Sequence, residues 1–391
     1  MSLRPLPGTV LGELDGRGAL FCEAQQRLYQ LDAPATTVWN VLWTEGRSPE
    51  AAASLLAGRT GSSVNEAADY VAACLEQWRV AGFIGTPEPT GSVMPFPVKA
   101  EIGAGFKETE VFELAGFRVA IAFPDGAVAA AFRSVAGHLL VPPPPAIDLH
   151  LTIGSHPSGY RVAEGEAEEI VLPDAAAVAV WLKNNILEAV LAARPGLIAV
   201  HAAALQGPHG IVLLAGSSGR GKTTVSAVLN ARGWPLIADD VTLIDAGSSQ
   251  IQGFPFAFAA KPGSWPVLRA FFPDLDGLHC YLRPDGRTVR YVPPSTIAAG
   301  DTAINAVVFP VYTPDGPTRR RPLDRISALV KLLEEARNGQ RRLTCEGFET
   351  MARILARAEV IEVAYGEAGE VAELLASIAG GSPLRLVVGN S

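Results

Sequence analysis

A chain of 391 residues with 48% apolar and 18% charged residues can bury more than one core, which excludes a disordered protein. The formal charge of −8 disfavours non-specific nucleic-acid binding, which needs a cationic surface against the phosphate backbone. No uninterrupted apolar run reaches the roughly 20 residues that cross a bilayer, and the opening MSLRPLPGTVLGEL has no signal-like apolar centre, so a cytoplasmic protein without membrane contact is expected.

Residues 8 to 86 begin with the strand-like pieces TVLGEL, ALFCEA and RLYQL, separated by turn signals such as DGRG. Three helices are predicted next. DAPATTVWNVLW carries Val38, Trp39, Leu42 and Trp43 at helical spacing. SPEAAASLLAG has Ser48 as N-cap, Pro49 at the first helical position and Gly58 as the stop. In VNEAADYVAACLEQWRVAGFI, residues Val64, Ala68, Val71, Leu75 and Trp78 form one stripe. The following GTPEPTGSVMPFPVK holds four prolines and no apolar period, as expected of a linker. Four widely spaced cysteines, Cys22, Cys74, Cys280 and Cys345, read as reduced packing residues.

Beyond residue 100, strand-like runs (VFELAGFRVAIAF, IDLHLTIG, EEIVL) alternate with one long helical stretch, DAAAVAVWLKNNILEAVLAAR. LIAVHAAAL and GIVLLAG then lead to a glycine corner, a helix and PLIADDVTLI. DRISALVKLLEEARN, GFETMARILARA and EVAELLASIA read as late helices, VIEVAYG as a strand and TPDGPTRRRP, with Arg319 to Arg321, as a solvated turn. The expected domains are 1–86, a linker at 87–99, one α/β domain over 100–382 with a β-rich front, and a tail at 383–391.

The glycine corner runs Gly216, Ser217, Ser218, Gly219, Arg220, Gly221, Lys222, Thr223, Thr224. Two glycines flank four residues and Lys-Thr follows, between an apolar strand and a helix, which is the P-loop pattern. Its backbone N–H groups and helix N-terminus can cradle phosphates, Lys222 adds a full charge for β/γ oxygens, and Thr223 offers a hydroxyl to Mg²⁺. Asp239 and Asp240 end the next apolar strand. One carboxylate, Asp239, serves the Mg²⁺ shell, and the second, Asp240, is free to take a proton from an attacking hydroxyl. His201 closes the preceding apolar run, where it can partner a carboxylate or the γ-phosphate, or be a structural hydrogen-bonder.

The set VHAAAL … GIVLLAGSSGRGKTTVSAVLNARGWPLIADDVTLID resembles the HPr kinase-like family, P-loop enzymes that phosphorylate a protein or peptide hydroxyl. The resemblance implies ATP and Mg²⁺ as cofactors, His201, Lys222 and Asp240 as catalytic residues, and a phosphate role for Lys261. Thr224 stands where HPr kinases proper carry an acid, which argues against HPr as acceptor. Residues 29 to 84 are similar to the PqqD family, an α+β, winged-helix-like peptide-binding fold, which implies that a leader peptide adds as a strand between RLYQL and the 64 to 81 helix. A winged DNA-binding domain has the same outline, but residues 1–90 hold 6 Arg, no Lys and 10 acidic residues. The expected partner is a precursor peptide or small protein carrying a Ser or Thr acceptor. A metabolite kinase with a docking domain and a non-catalytic nucleotide- and peptide-binding scaffold remain open. Related kinases are often oligomers, so a homo-oligomer is a further partner to test for.

Overall fold

Turn chemistry shapes the first part of the chain. Asp15 and Gly16 both take positive φ, +53° and +73°, and join strands Thr9–Leu14 and Arg17–Cys22 through a two-residue hairpin loop. A third antiparallel strand, Arg27–Leu31, pairs with Arg17–Cys22. The computed structural model describes residues 3–85, 108–144, 146–164, 168–298, 303–334, 336–339 and 342–378, a mixed α/β protein with ten α-helices and several sheets among those residues. The linker expected at 87–99 and the tail at 383–391 lie outside them.

Three capped helices follow the strands: Ala33–Trp39 behind Asp32, Pro49–Thr60 behind Ser48, and Val64–Val80 behind Ser63, which forms a capping box with Glu66. The second ends at Gly61, with φ +73°, and not at Gly58, since only a left-handed residue closes the last turn. In the third, the buried stripe is Ala67, Val71, Cys74 and Trp78, whereas Val64 is 54% exposed. The two stripes share Val71 and Trp78 and differ by one position at Ala67 and Cys74, where small residues do not separate them from Ala68 and Leu75 by helical spacing alone.

Trp39, Trp43 and Trp78 pack edge to face or tilted, with centroids 4.4 to 5.6 Å apart, at the centre of this core. Trp78→Ala should cost about 3–5 kcal/mol, read as a lowered denaturant midpoint of the front unit.

Two compact units are present: Met1–Pro95 with Leu323–Val360, and Phe96–Pro322 with Ile361–Ser391. The expectation of a single domain over 100–382 therefore needs revision for one segment. Helices Arg325–Leu333 and Cys345–Arg357 belong with the front strands, where Phe348 stacks on Phe21 at 5.2 Å and Arg325 pairs with Asp15 at 2.6 Å. Strand Arg17–Cys22 is thus covered on both faces, Leu20 and Cys22 toward the three helices and Phe21 toward Phe348, which accounts for its unbroken apolar run.

The second unit is built on a sheet whose order is Leu236–Ala238, Ala202–Gly207, Gly210–Ala215, Ile304–Tyr312, Glu359–Tyr365, Arg319–Pro322. Gly210–Ala215 runs parallel to Ile304–Tyr312 and antiparallel to Ala202–Gly207. Its core joins Val212 and Leu214 to Val225, Val228 and Leu229 of helix Lys222–Ala231. Arg319–Pro322 was expected as a turn; it is an exposed edge strand, with Arg321 paired to Glu362, because its neighbour offers an open ladder. Helix Ala175–Ala193 has the length and mean hydropathy, 1.3, of a membrane span, and half of that window is buried within the protein.

Candidate functional site

A buried strand that must turn sharply into a helix needs backbone freedom, and three glycines supply it: Gly216, Gly219 and Gly221 have φ of +125°, +87° and +90°. Gly221 also lies against the hydroxyl of Tyr365, which a Cβ at that position would strike. Gly221→Ala should therefore shift the loop and remove nucleotide binding while the front unit keeps its stability, as separate ligand titration and unfolding curves would record. Lys222 is 7% exposed, and its ammonium donates to the carbonyls of Gly216 and Ser217. A buried cation that donates to neutral carbonyls can exchange them for an anion.

A cavity of about 280 Å³ opens on this loop. It gathers Ser218, Gly219, Gly221, Lys222, Thr223 and Thr224 with His201, Asp240 and Lys261. Of the remaining predicted residues, Gly216, Ser217, Arg220 and Asp239 are absent from its lining, the side chain of Arg220 being exposed to solvent.

The two acids part ways. Asp239 is 3% exposed and accepts a hydrogen bond from the Ser226 hydroxyl at 2.9 Å. Burial, then repulsion from Asp240, pushes its carboxyl up to about 6. Asp240, in the left-handed region at φ +74°, lines the cavity, with its side chain 40% exposed. Burial pushes its carboxyl up, but attraction to Lys183 and the hydrogen bond between them outweigh this and hold it below the usual carboxylate range.

Lys183, from the middle of helix Ala175–Ala193, donates to Asp240 Oδ2 at 2.8 Å. His201 sits between strands Leu197–Val200 and Ala202–Gly207. Its Nδ1 lies 2.8 Å from the Asp240 carbonyl and 3.3 Å from Oδ1, so with the proton assigned to Nδ1 it donates to this residue and leaves Nε2 as an acceptor. Asp240 is thus gripped from two elements, which stabilises its left-handed backbone.

Lys183 was missed by the sequence reading. Its signal was one lysine in a helical stretch whose other charged residue is Glu188, where a cation taken out of water needs an anionic partner. Lys183→Met should leave nucleotide affinity unchanged and slow phosphoryl transfer by up to roughly a hundredfold, the scale expected when a reacting group is misplaced by about 1 Å. Lys183→Arg should restore part of the rate in the same single-turnover assay.

The donor set fits a magnesium ion held with a nucleotide. A hard cation that keeps several waters needs one or two oxygen ligands from protein, which Thr223 and, directly or through a water, the buried Asp239 would supply. Among the described residues no group of three or more His, Cys, Asp or Glu forms a closed metal cage.

No protein-family model matches the chain, and no curated protein matches it. Among matching solved structures, TbiB1 in complex with the TbiA(β) leader peptide aligns over 22% of this chain and 96% of its own, at 16% identity and a TM-score of 0.20. The HPr(Ser) kinase/phosphatase from Coxiella burnetii aligns over 46% of this chain and 92% of its own, at 12% identity and a TM-score of 0.21.

Proposed function

We propose that the protein is an ATP-dependent kinase that phosphorylates a Ser or Thr hydroxyl of a peptide captured by its front unit. The observation that carries this is one cavity in which the P-loop residues Lys222 and Thr223 face Asp240, itself oriented by Lys183 and His201. A switch or motor needs only the first half of that set. An oriented carboxylate near the phosphate end is what an acceptor hydroxyl requires.

The acceptor oxygen forms a bond to the γ-phosphorus, the bond from that phosphorus to the bridging oxygen breaks, and ADP leaves with the electron pair. The hydroxyl proton passes to Asp240. Phosphoryl transfer through a loose transition state demands little activation of the nucleophile, so a carboxylate held ionised by Lys183 can accept the hydroxyl's hydrogen bond and take its proton as the bond to phosphorus forms. Lys222 and the loop amides hold the phosphates, and Lys261, whose carbonyl accepts from Ser264, lines the same cavity as a further phosphate contact. Thr223 and Asp239 would hold a magnesium ion, which would supply charge neutralisation at the phosphate oxygens.

Proton competition follows from the raised Asp239. Metal binding needs its ionised form, so magnesium affinity with nucleotide should rise with pH through about 6. Between pH 7 and pH 5 the ionised fraction, and with it the affinity, should fall about tenfold. Calorimetric titration at the two pH values checks this, and a flat profile would remove Asp239 from the magnesium shell.

For the peptide, support comes from the front sheet, in which Arg27–Leu31 is the end strand and pairs only with Arg17–Cys22 among the described residues. An unpaired strand edge is a template for an added strand. Helix Val64–Val80 lies beside it, with Tyr29 donating to Gln77 at 3.3 Å. The test compares phosphorylation of a precursor peptide with and without its leader. Loss of transfer efficiency on leader removal is expected, and equal rates for both, or transfer to a free metabolite alone, would refute peptide capture.

A further inference from the structure

We infer that a second cavity, floored by Tyr312, takes the nucleoside half of the nucleotide whose phosphates the loop binds. This rests on the phosphate-binding role of the loop but not on any acceptor. The cavity measures about 1040 Å³ and adjoins the first, sharing Val267, Tyr312, Gly366 and Ala368 with it. Asp240, His201, Lys261 and Thr224 line only the first. A nucleotide anchored on the loop with its reacting end at Asp240 therefore has its opposite end at Tyr312.

The strands explain why an aromatic ring stands there. Ile304–Tyr312 runs parallel to the P-loop strand, so Tyr312 emerges at the edge of the sheet where the loop begins. The neighbouring strand ends at Tyr365, and the two strand ends are tied by the Thr313 N–H donating to the Tyr365 carbonyl at 2.8 Å. Tyr365 is 2% exposed, with its hydroxyl under Gly221. Tyr312 packs beside it at 5.6 Å between centroids yet is 51% exposed. One tyrosine thus supports the phosphate loop, and the other leaves a ring available to a ligand continuing from that loop.

The remaining lining selects what continues. Asp315, Glu367 and Glu370 are carboxylates that accept hydrogen bonds without donating any, and the cation of this lining, Arg232, is paired with Glu373. Sugar hydroxyls and an exocyclic base amine are donors of the matching kind. Phe271 adds apolar surface for a base. Gly316 and Gly366 meet backbone to backbone, where a Cβ on Gly366 would strike the Gly316 carbonyl, so the two loops bounding the cavity are held together without intervening side chains.

Calorimetry on the full chain with magnesium ATP and with magnesium tripolyphosphate separates the two ends of the ligand. Tyr312→Ala should weaken ATP binding about tenfold, the scale of losing one base–aromatic stack, and leave tripolyphosphate binding unchanged. Tyr312→Phe should bind both as the unaltered protein does. Unchanged ATP affinity in Tyr312→Ala would overturn the nucleoside site while the loop's role stands, and so would equal losses for ATP and tripolyphosphate. A loss in Tyr312→Phe as large as in Tyr312→Ala would exclude stacking. Failure of the unaltered protein to bind either ligand would overturn the phosphate-binding role itself, and the nucleoside site with it.

Discussion

Asp240→Asn should reduce phosphoryl transfer by roughly 10²–10⁴-fold while ATP binds as before. The substitution preserves shape and removes only the charge proposed to take the acceptor proton. The side chain lies on the cavity side of the strand end, paired to Lys183 at 2.8 Å and next to His201 at 3.3 Å rather than bonded to the loop that would hold the phosphates. Binding and chemistry should therefore separate: a nucleotide titration stays near its original midpoint, and the single-turnover rate collapses. A rate within a few-fold of the unaltered protein would take the proton-accepting role from Asp240. Asp239→Asn should behave in the opposite way, with weaker magnesium binding, since that carboxyl faces Ser226 rather than the acceptor.

Lys222→Ala should produce the second large loss, on the order of 10²–10³-fold in transfer, because a preorganised cation is removed from where charge develops. ATP affinity should fall with it, unlike in Asp240→Asn. Lys222 is almost wholly buried, so Lys222→Gln, which fills the same space with a neutral donor, controls for collapse of the loop. Both variants should keep the unfolding transition of the front unit and its affinity for a peptide, since that unit has its own core around Trp39 and Trp78.

Much of the site was legible because its parts are local. The P-loop needs strand, glycines, lysine and helix within a short segment, and all of them are visible in the order of residues 210 to 231. The adjacent Asp239 and Asp240 were visible too, but not which would face the cavity. Consecutive residues leaving a strand point to opposite sides, and the left-handed backbone of Asp240 settles that its side chain takes the open side. Lys183 lies 57 residues from its partner, so only the folded chain brings them together. The same limit explains the segment Leu323–Val360. An amphipathic pattern such as that of Cys345–Arg357 declares a buried face but not the element it is buried against, and here that element is a strand more than three hundred residues earlier. Tyr312 and Tyr365 read as ordinary strand residues, and their bearing on the loop appears only when neighbouring strand ends meet at Gly221.

The most direct measurement incubates the full chain with ATP, magnesium and candidate precursor peptides, those encoded beside its gene included, and weighs the peptides by mass spectrometry. The expected result is the gain of one phosphate on a Ser or Thr, absent with Lys222→Ala and Asp240→Asn. Peptides that remain unmodified while ATP is bound, or phosphate that appears equally with the Asp240→Asn variant, would contradict a peptide kinase built on this cavity.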